Sequence, residues 1–170
     1  IIYRISDVVN EDGDIVKEVK MYTEQNKIET FYTKTDMYTD FDASFGTVVL
    51  YVVEGGKLTG IKTEFIPDLN DPKANKQSSM SFTDEWTAYF GQTKDVFSDY
   101  FTINTNYSGV WDDSVNNMRI VPLDCQQNIV VSMADRKITE GSRSNLYRLS
   151  YEYVRIFRGQ TIRQLVIYEY

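Results

Sequence analysis

The C-terminal segment, residues 146–170, constrains the fold most, because it predicts a β-hairpin with a defined register. The runs LYRLSYEYVRIF and QTIRQLVIYEY flank an Arg-Gly pair at 158–159, and glycine supplies the positive φ that a two-residue hairpin turn needs. Closing this turn places Tyr153 opposite Gln164. A slip by one residue would move the aromatic face of the hairpin into water, so the sequence predicts a fixed register.

The aromatic face of this hairpin is the candidate ligand-binding surface. Its members are Tyr147, Leu149, Tyr151, Tyr153, Arg155, Phe157, Ile162, Gln164, Val166, Tyr168 and Tyr170. The face is either one wall of the core or the lining of a cavity, and apolar walls with a few polar groups are typical of small-molecule sites. An arginine in a closed core needs a partner at high cost. The ligand-binding residues predicted from this pattern are Arg155, Gln164, Tyr151, Tyr153 and Tyr168.

Short β-like runs with turn signals between them fill most of the remaining chain. Asp12-Gly13 and Gly55-Gly56 predict hairpin turns. The run VVLYVV at 48–53 predicts a strand that is buried on both faces. The sequence therefore predicts an all-β, antiparallel fold in a single domain of residues 1–170, either a closed barrel (calycin-like in outline) or a two-sheet sandwich.

One segment, residues 83–100, is predicted to be a short helical insert. Apolar and aromatic residues recur there at steps of three and four, namely Phe82, Trp86, Tyr89, Phe90, Val96, Phe97, Tyr100 and Phe101. Thr83 or Asp84 can cap its start, and Gly91 divides it into two short helices.

The composition excludes several classes of function. The chain is acidic, with a formal net charge of −7, which argues against generic nucleic-acid binding. No apolar run approaches the eighteen or so residues of a membrane span. The chain has no histidine and one cysteine, Cys125, so histidine-based catalysis and tetrahedral zinc sites are excluded. No cofactor is expected.

Clustered carboxylates leave two weaker interpretations open. Two acidic loops could hold Ca²⁺ weakly through carboxylates and carbonyls but are explained best as solvated charge; they contain Asp36, Asp40 and Asp42, and Asp68, Asn70 and Asp71. The adjacent pairs Asp84-Glu85 and Asp112-Asp113 are the candidates for carboxylate catalysis.

Three functional hypotheses follow from these patterns. The first is a non-enzymatic binding protein whose β-barrel holds a hydrophobic or aromatic small molecule. The second is a structural or assembly subunit of a larger complex, such as a virion or a pilus, in which strands rich in tyrosine contact neighbouring proteins. The third is an enzyme that depends on carboxylates.

Overall fold

The computed structural model describes residues 1–35, 37, 43–67, 80–83, 86–104, 118–141, 152–158 and 161–170. The chain forms two compact units, Ile1–Pro67 and Asp68–Tyr170, and each is described by itself. The regular secondary structure of the described residues is almost entirely β-strand. The expectation of a single domain stays a prediction.

The first unit is one five-stranded sheet. Its strands are β1 (Ile2–Val9), β2 (Ile15–Tyr22), β3 (Ile28–Thr33), β4 (Val48–Glu54) and β5 (Lys57–Phe65), in the order β1-β2-β3-β5-β4. Neighbouring strands are antiparallel except for β3 and β5, which run parallel and are in register at two positions, Tyr32 with Lys57 and Thr33 with Leu58. A three-stranded meander, β1 to β3, is thus joined to the β4–β5 hairpin by a short seam.

Glycines close the two hairpins that the sequence predicts in this unit. Gly13 has a φ of 86° in the turn between β1 and β2. Gly55 and Gly56 have φ values of 58° and 76° between β4 and β5, and Glu54 pairs with Lys57 across them. Two successive positive φ angles are typical of the turn whose twist suits a hairpin. Both hairpin predictions are confirmed.

One face of this sheet carries the core of the unit. Its fully or nearly fully buried members are Ile2, Val19, Met21, Val49 and Leu58, with Ile5, Phe31, Met37, Ala43, Tyr51 and Ile61 packed against them. Because side chains alternate between the faces of a strand, Leu50 and Val52 lie on the face opposite to Val49 and Tyr51. Burial of Val49 and exposure of Leu50 follow from this alternation.

The first strand is tied to the segment that leads into β4. The Ile2 amide donates to the Thr47 carbonyl at 2.8 Å, and the Gly46 amide donates to the Ile2 carbonyl at 2.9 Å. These bonds occupy the outer backbone groups at the start of β1.

The second unit contains the larger sheet. Its strands are β6 (Met80–Thr83), β7 (Trp86–Val96), β8 (Phe101–Asn104), β9 (Met118–Ile120), β10 (Gln127–Ser132), β11 (Lys137–Glu140), β12 (Glu152–Arg158) and β13 (Thr161–Glu169). The order is β11-β10-β13-β12-β7-β8-β9, with β6 paired to β7, and a 3₁₀ turn lies at Pro122–Asp124. A buried cluster of Phe101, Ile103, Ile120, Val130, Leu165 and Ile167 forms its core.

The all-β class is confirmed, whereas the closed barrel is wrong: neither sheet of the described strands closes. A sandwich-like class fits only coarsely. The sheets are also not purely antiparallel, since β3 pairs with β5 and β10 pairs with β13 in parallel.

The helical insert predicted at 83–100 is wrong. Residues 86–96 form β7, an eleven-residue strand that pairs with β12 and with β8. Seven of the eight residues that produced the helical spacing are aromatic, and the segment also contains threonines and Gly91. Aromatic residues and threonine favour strands, and glycine weakens a helix, so pairing on both sides outweighs the spacing.

The C-terminal hairpin is confirmed, but its predicted register is wrong. Arg158 pairs with Thr161, and a bulge between Ile156 and Phe157 shifts the ladder by one further residue. Tyr153 consequently pairs with Ile167 instead of Gln164. A bulge inserts one extra residue into one strand, which reverses the alternation that a regular hairpin would have.

Candidate functional site

The predicted ligand-binding residues do not share one row of the C-terminal hairpin. Arg155 pairs with Leu165, and Gln164 pairs with Ile156. Arg155 and Gln164 therefore belong to adjacent residue pairs of the ladder, and adjacent pairs alternate between the two faces of a sheet. Tyr151 lies outside the described residues. The ligand-binding role of this set stays a prediction.

Two members of the predicted set have defined surroundings. The Gln164 amide nitrogen donates to the side-chain oxygen of Gln127 at 2.6 Å, across the parallel β10–β13 pair. Tyr168 is fully buried, and this burial raises the pKa of its hydroxyl well above the usual range. Tyr168 pairs with Glu152, whereas Tyr153 pairs with Ile167. Within the larger sheet, Gln164 is therefore engaged by Gln127, and Tyr168 is part of the buried core.

A different surface stands out in the first unit, where β4 ends the sheet. We call the outward side of Val48–Glu54 the β4 edge. Its first six residues, VVLYVV, carry no charge and no proline. Leu50 is 40% exposed, Val52 53% and Val53 37%. The expectation that this run is buried on both faces is wrong, because the face that carries Leu50 and Val52 is exposed. Within the sheet, β4 has a paired neighbour on one side only.

The other strands that end the described sheets are short or charged. β11 has four residues and includes Lys137 and Glu140, and β9 has three residues. β1, at the opposite end of the five-stranded sheet, carries Arg4 and Asp7 and a bulge near its start. Short length, charge and bulges are the usual protection of sheet edges against further pairing. The β4 edge is seven residues long and has one charge, Glu54 at its end. The two bulges of the β4–β5 pair place their extra residues on β5, so β4 itself is continuous.

Within the described part of the chain, no strand pairs with the outward side of the β4 edge. All pairing of Val48–Glu54 within the described part of the chain is with β5, and the backbone forms no other backbone hydrogen bond there. The Val52 carbonyl accepts a long bond of 3.4 Å from the Thr59 hydroxyl. An edge strand of this kind presents a row of free donors and acceptors to an incoming strand.

A shallow concavity of about 470 Å³ adjoins the β4–β5 hairpin. It is lined by Lys34, Met37, Val52, Glu54, Thr59 and Gly60. Val52 belongs both to this concavity and to the β4 edge. The lining is mixed, with a lysine and a glutamate beside apolar atoms, and so differs from the largely apolar pocket that the sequence predicted.

A buried carboxylate lies on β5 close to the start of β4. Glu64 is the extra residue of a bulge, because Val48 pairs with Phe65 and Val49 pairs with Thr63. Glu64 is only 4% exposed, and its Oε1 has no hydrogen-bond partner. Burial raises the pKa of Glu64 to about 7, against the attraction of Lys62, which lowers it. This carboxyl group changes charge near neutral pH.

The carboxylates singled out by sequence cannot be located. All of them lie outside the described residues: the candidate catalytic pairs at 84–85 and 112–113, the aspartates at 36, 40 and 42, and the cluster at 68–71. Among the residues that are described, no group of three or more Cys, Asp or Glu side chains is arranged to hold a metal ion. No helix in that part of the chain is long and apolar enough to cross a membrane.

Comparison with known proteins adds no relationship: no protein-family model, curated protein or solved structure matches this chain. The β4 edge is therefore the described surface that bears most directly on function. Sequence reasoning missed it, because a continuous apolar run is typical of a strand buried on both faces. The signal that could have raised the alternative is Gly55-Gly56, since a tight hairpin secures one neighbour for β4 and leaves the other side unassigned.

Proposed function

We propose that this chain is a non-enzymatic assembly protein that binds an extended strand along the β4 edge. The observation that carries the proposal is the contrast among the described sheet ends. β4 offers seven residues, of which the first six are apolar and uncharged, with Leu50 and Val52 exposed. The other terminal strands are short or charged.

Strand addition uses the two features that the β4 edge combines. Main-chain hydrogen bonds to the free backbone groups provide affinity, and alternate side chains of the added strand meet different surfaces. On one face an added strand would contact the exposed Leu50 and Val52, and on the other face it would extend the row of Val49, Tyr51 and Val53. An open apolar edge left without a partner is an aggregation site, which favours an occupant in the working protein.

The assembly hypothesis is better supported than the hypothesis of a small hydrophobic ligand. The latter relied on a closed barrel and on Arg155 and Gln164 converging on one face. The sheets are open, and Gln164 is bonded to Gln127. The ligand hypothesis stays a prediction for the C-terminal hairpin.

An NMR titration of the isotopically labelled full chain tests the proposal. The probe is a synthetic peptide of alternating valine and threonine with a lysine at each end. We expect amide shifts that saturate and that concentrate in β4 and β5. The same peptide with alternate backbone nitrogens methylated should bind at least tenfold more weakly, because it lacks the donors for a ladder.

Two exposed valines on opposite edges of the same sheet provide matched variants. Val52→Lys places a charge on the β4 edge and should reduce peptide affinity at least tenfold. Val9→Lys, at the end of β1 where the valine is 68% exposed, should leave affinity unchanged. Equal effects of the two variants, or equal binding of the methylated peptide, would contradict strand addition at β4.

A further inference from the structure

We infer that the strand bound at the β4 edge is β4 of a second copy of this chain, paired antiparallel across a two-fold axis at Tyr51. This inference rests on the proposed function and specifies its partner. The two five-stranded sheets would then continue into each other through β4.

The seven-residue strand is self-complementary in this arrangement. Tyr51 is its central residue, so a two-fold axis there places it opposite its own copy. Leu50 then lies opposite Val52 of the second chain, and Val49 lies opposite Val53. Directly opposite residues share a face and have Cβ atoms about 5 Å apart. The exposed Leu50 and Val52 therefore cover each other twice.

The charges select the antiparallel direction. The chain carries a net charge of −7, so two copies repel each other in general, but residues 48–53 contribute nothing to that repulsion. Glu54 is the charged residue of β4, and it already lies across from Lys57 within its own hairpin. Antiparallel pairing separates the two Glu54 positions by about 20 Å along the strands, whereas parallel pairing would set them side by side.

The size of the contact fixes the strength and the extent of the assembly. A seven-residue strand is about 24 Å long, so one strand pair lies at the small end of specific interfaces, below about 1,200 Å². We therefore expect a reversible dimer with a dissociation constant near the micromolar range. Because a two-fold contact uses the same surface on both copies, pairing closes at two and does not propagate.

Cysteine cross-linking of the full chain tests the register. In a background with Cys125→Ala, Leu50→Cys and Val52→Cys chains are prepared separately and oxidised alone and as an equal mixture. Both positions are exposed, so folding should be preserved. The proposed pairing brings residue 50 of one chain opposite residue 52 of the other. The mixture should consequently cross-link about tenfold more than either chain alone.

Sedimentation velocity supplies the second readout. The native sequence should move from monomer to dimer with rising concentration and stop there, and Val52→Lys should weaken this association at least tenfold while Val9→Lys leaves it unchanged. Higher salt should strengthen the dimer, since it screens the repulsion between acidic chains. Assembly beyond the dimer, or equal cross-linking in all three samples, would overturn the inference.

The failures of the two proposals can be told apart. If the chain stays monomeric and does not cross-link but the valine–threonine peptide binds at β4, the second copy is wrong and strand addition stands. If neither the peptide nor a second copy binds, both are wrong.

Discussion

The two edges of the five-stranded sheet differ in how they meet solvent. At β1 the strand begins with a buried isoleucine whose backbone is bonded to Gly46 and Thr47, and it then carries Arg4 and Asp7. At β4 the unpaired edge belongs to the run VVLYVV, which carries no charge. One sheet therefore has an edge that resists pairing and an edge that invites it, although both strands have seven or eight residues and similar propensity.

The charged side chains of β1 form ion pairs with side chains of β2. Lys17 and Asp7 form an ion pair of 2.6 Å, and Arg4 bonds to Glu18 at 3.2 Å. Exposed ion pairs of this kind add little to stability, but charged side chains along a sheet edge discourage a further strand. The protection of an edge and the stability of a strand therefore come from different residues.

The largest expected effect comes from the anchored start of β1. Ile2→Ala removes a fully buried side chain from the core and should lower the free energy of unfolding by about 2–5 kcal/mol. Val52→Ala, at an exposed position on the other edge, should change it by less than about 0.5 kcal/mol. Urea unfolding followed by the NMR signals of the first unit measures both. Similar losses would show that β1 is not the anchored edge.

An intermediate effect concerns Glu64, the buried carboxylate behind β4. Its folded-state pKa of about 7 lies above the ordinary value of 4.5, so the folded chain holds this proton more tightly than the unfolded chain. Its contribution to stability is full below pH 4.5 and is lost as the pH rises through 7. Glu64→Gln should therefore stabilise the chain at pH 8, by roughly 1 kcal/mol or more, and have little effect at pH 4.5.

Glu29 on β3 is the control of opposite sign. The pKa of Glu29 is lowered by hydrogen bonds from Thr23 and from Lys27, so its contribution is present above pH 4.5 and is lost as the pH falls through its folded-state pKa. The Glu64→Gln curve should lie above the native stability curve at pH 8 and meet it near pH 4.5. The Glu29→Gln curve should lie below the native curve at pH 8 and meet it only as the pH falls through the folded-state pKa of Glu29. If Glu64→Gln gives a constant offset between pH 4.5 and 8, the carboxyl group does not titrate in that range.

The smallest effect on stability, and the sharpest test of the comparison, is the removal of the β1 charges. Arg4→Val with Asp7→Val should leave the melting temperature within about two degrees, because exposed ion pairs contribute little. The variant should nevertheless assemble beyond the dimer, since both edges of the sheet would then be apolar. Arg4→Lys with Asp7→Glu keeps the charges and should sediment as the native chain. A doubly apolar variant that stops at the dimer would show that β1 is protected by something other than charge.

Local turn chemistry was predictable from sequence, and long-range pairing was not. Gly13 and Gly55-Gly56 specify their hairpins because few other residues adopt positive φ readily. No tight turn joins the strands of the two parallel pairs, β3 with β5 and β10 with β13. No short sequence pattern therefore predicts these pairs. The β4 edge depends on this order, because the place of β4 at the end of the sheet follows from β5 pairing with β3.

The errors at β7 and in the C-terminal hairpin have separate causes. Residues 83–100 have apolar side chains at the spacing of three and four that is typical of a helix, yet they contain a strand that is paired on both sides. In the hairpin the strands and their approximate turn were correct, but the bulge after Ile156 has no sequence signature and changes the partner of Tyr153. A site that is inferred from side-chain alternation is wrong wherever such a shift occurs. The prediction that Arg155 and Gln164 converge depended on a regular register, which the hairpin does not have.

The short seam between β3 and β5 has a mechanical consequence. Two registered pairs and one 3.3 Å bond from the Lys34 amide to the Leu58 carbonyl connect β3 to β5, and two further bonds tie Ile2 of β1 to the segment before β4. The β4–β5 hairpin holds seven pairs of its own. Cooperative opening follows the weakest connections. A pulling force or a thermal fluctuation should thus release β4 and β5 together as a preformed hairpin. The β4 strand, which is the one proposed to bind a partner, would stay paired with β5 as it moves.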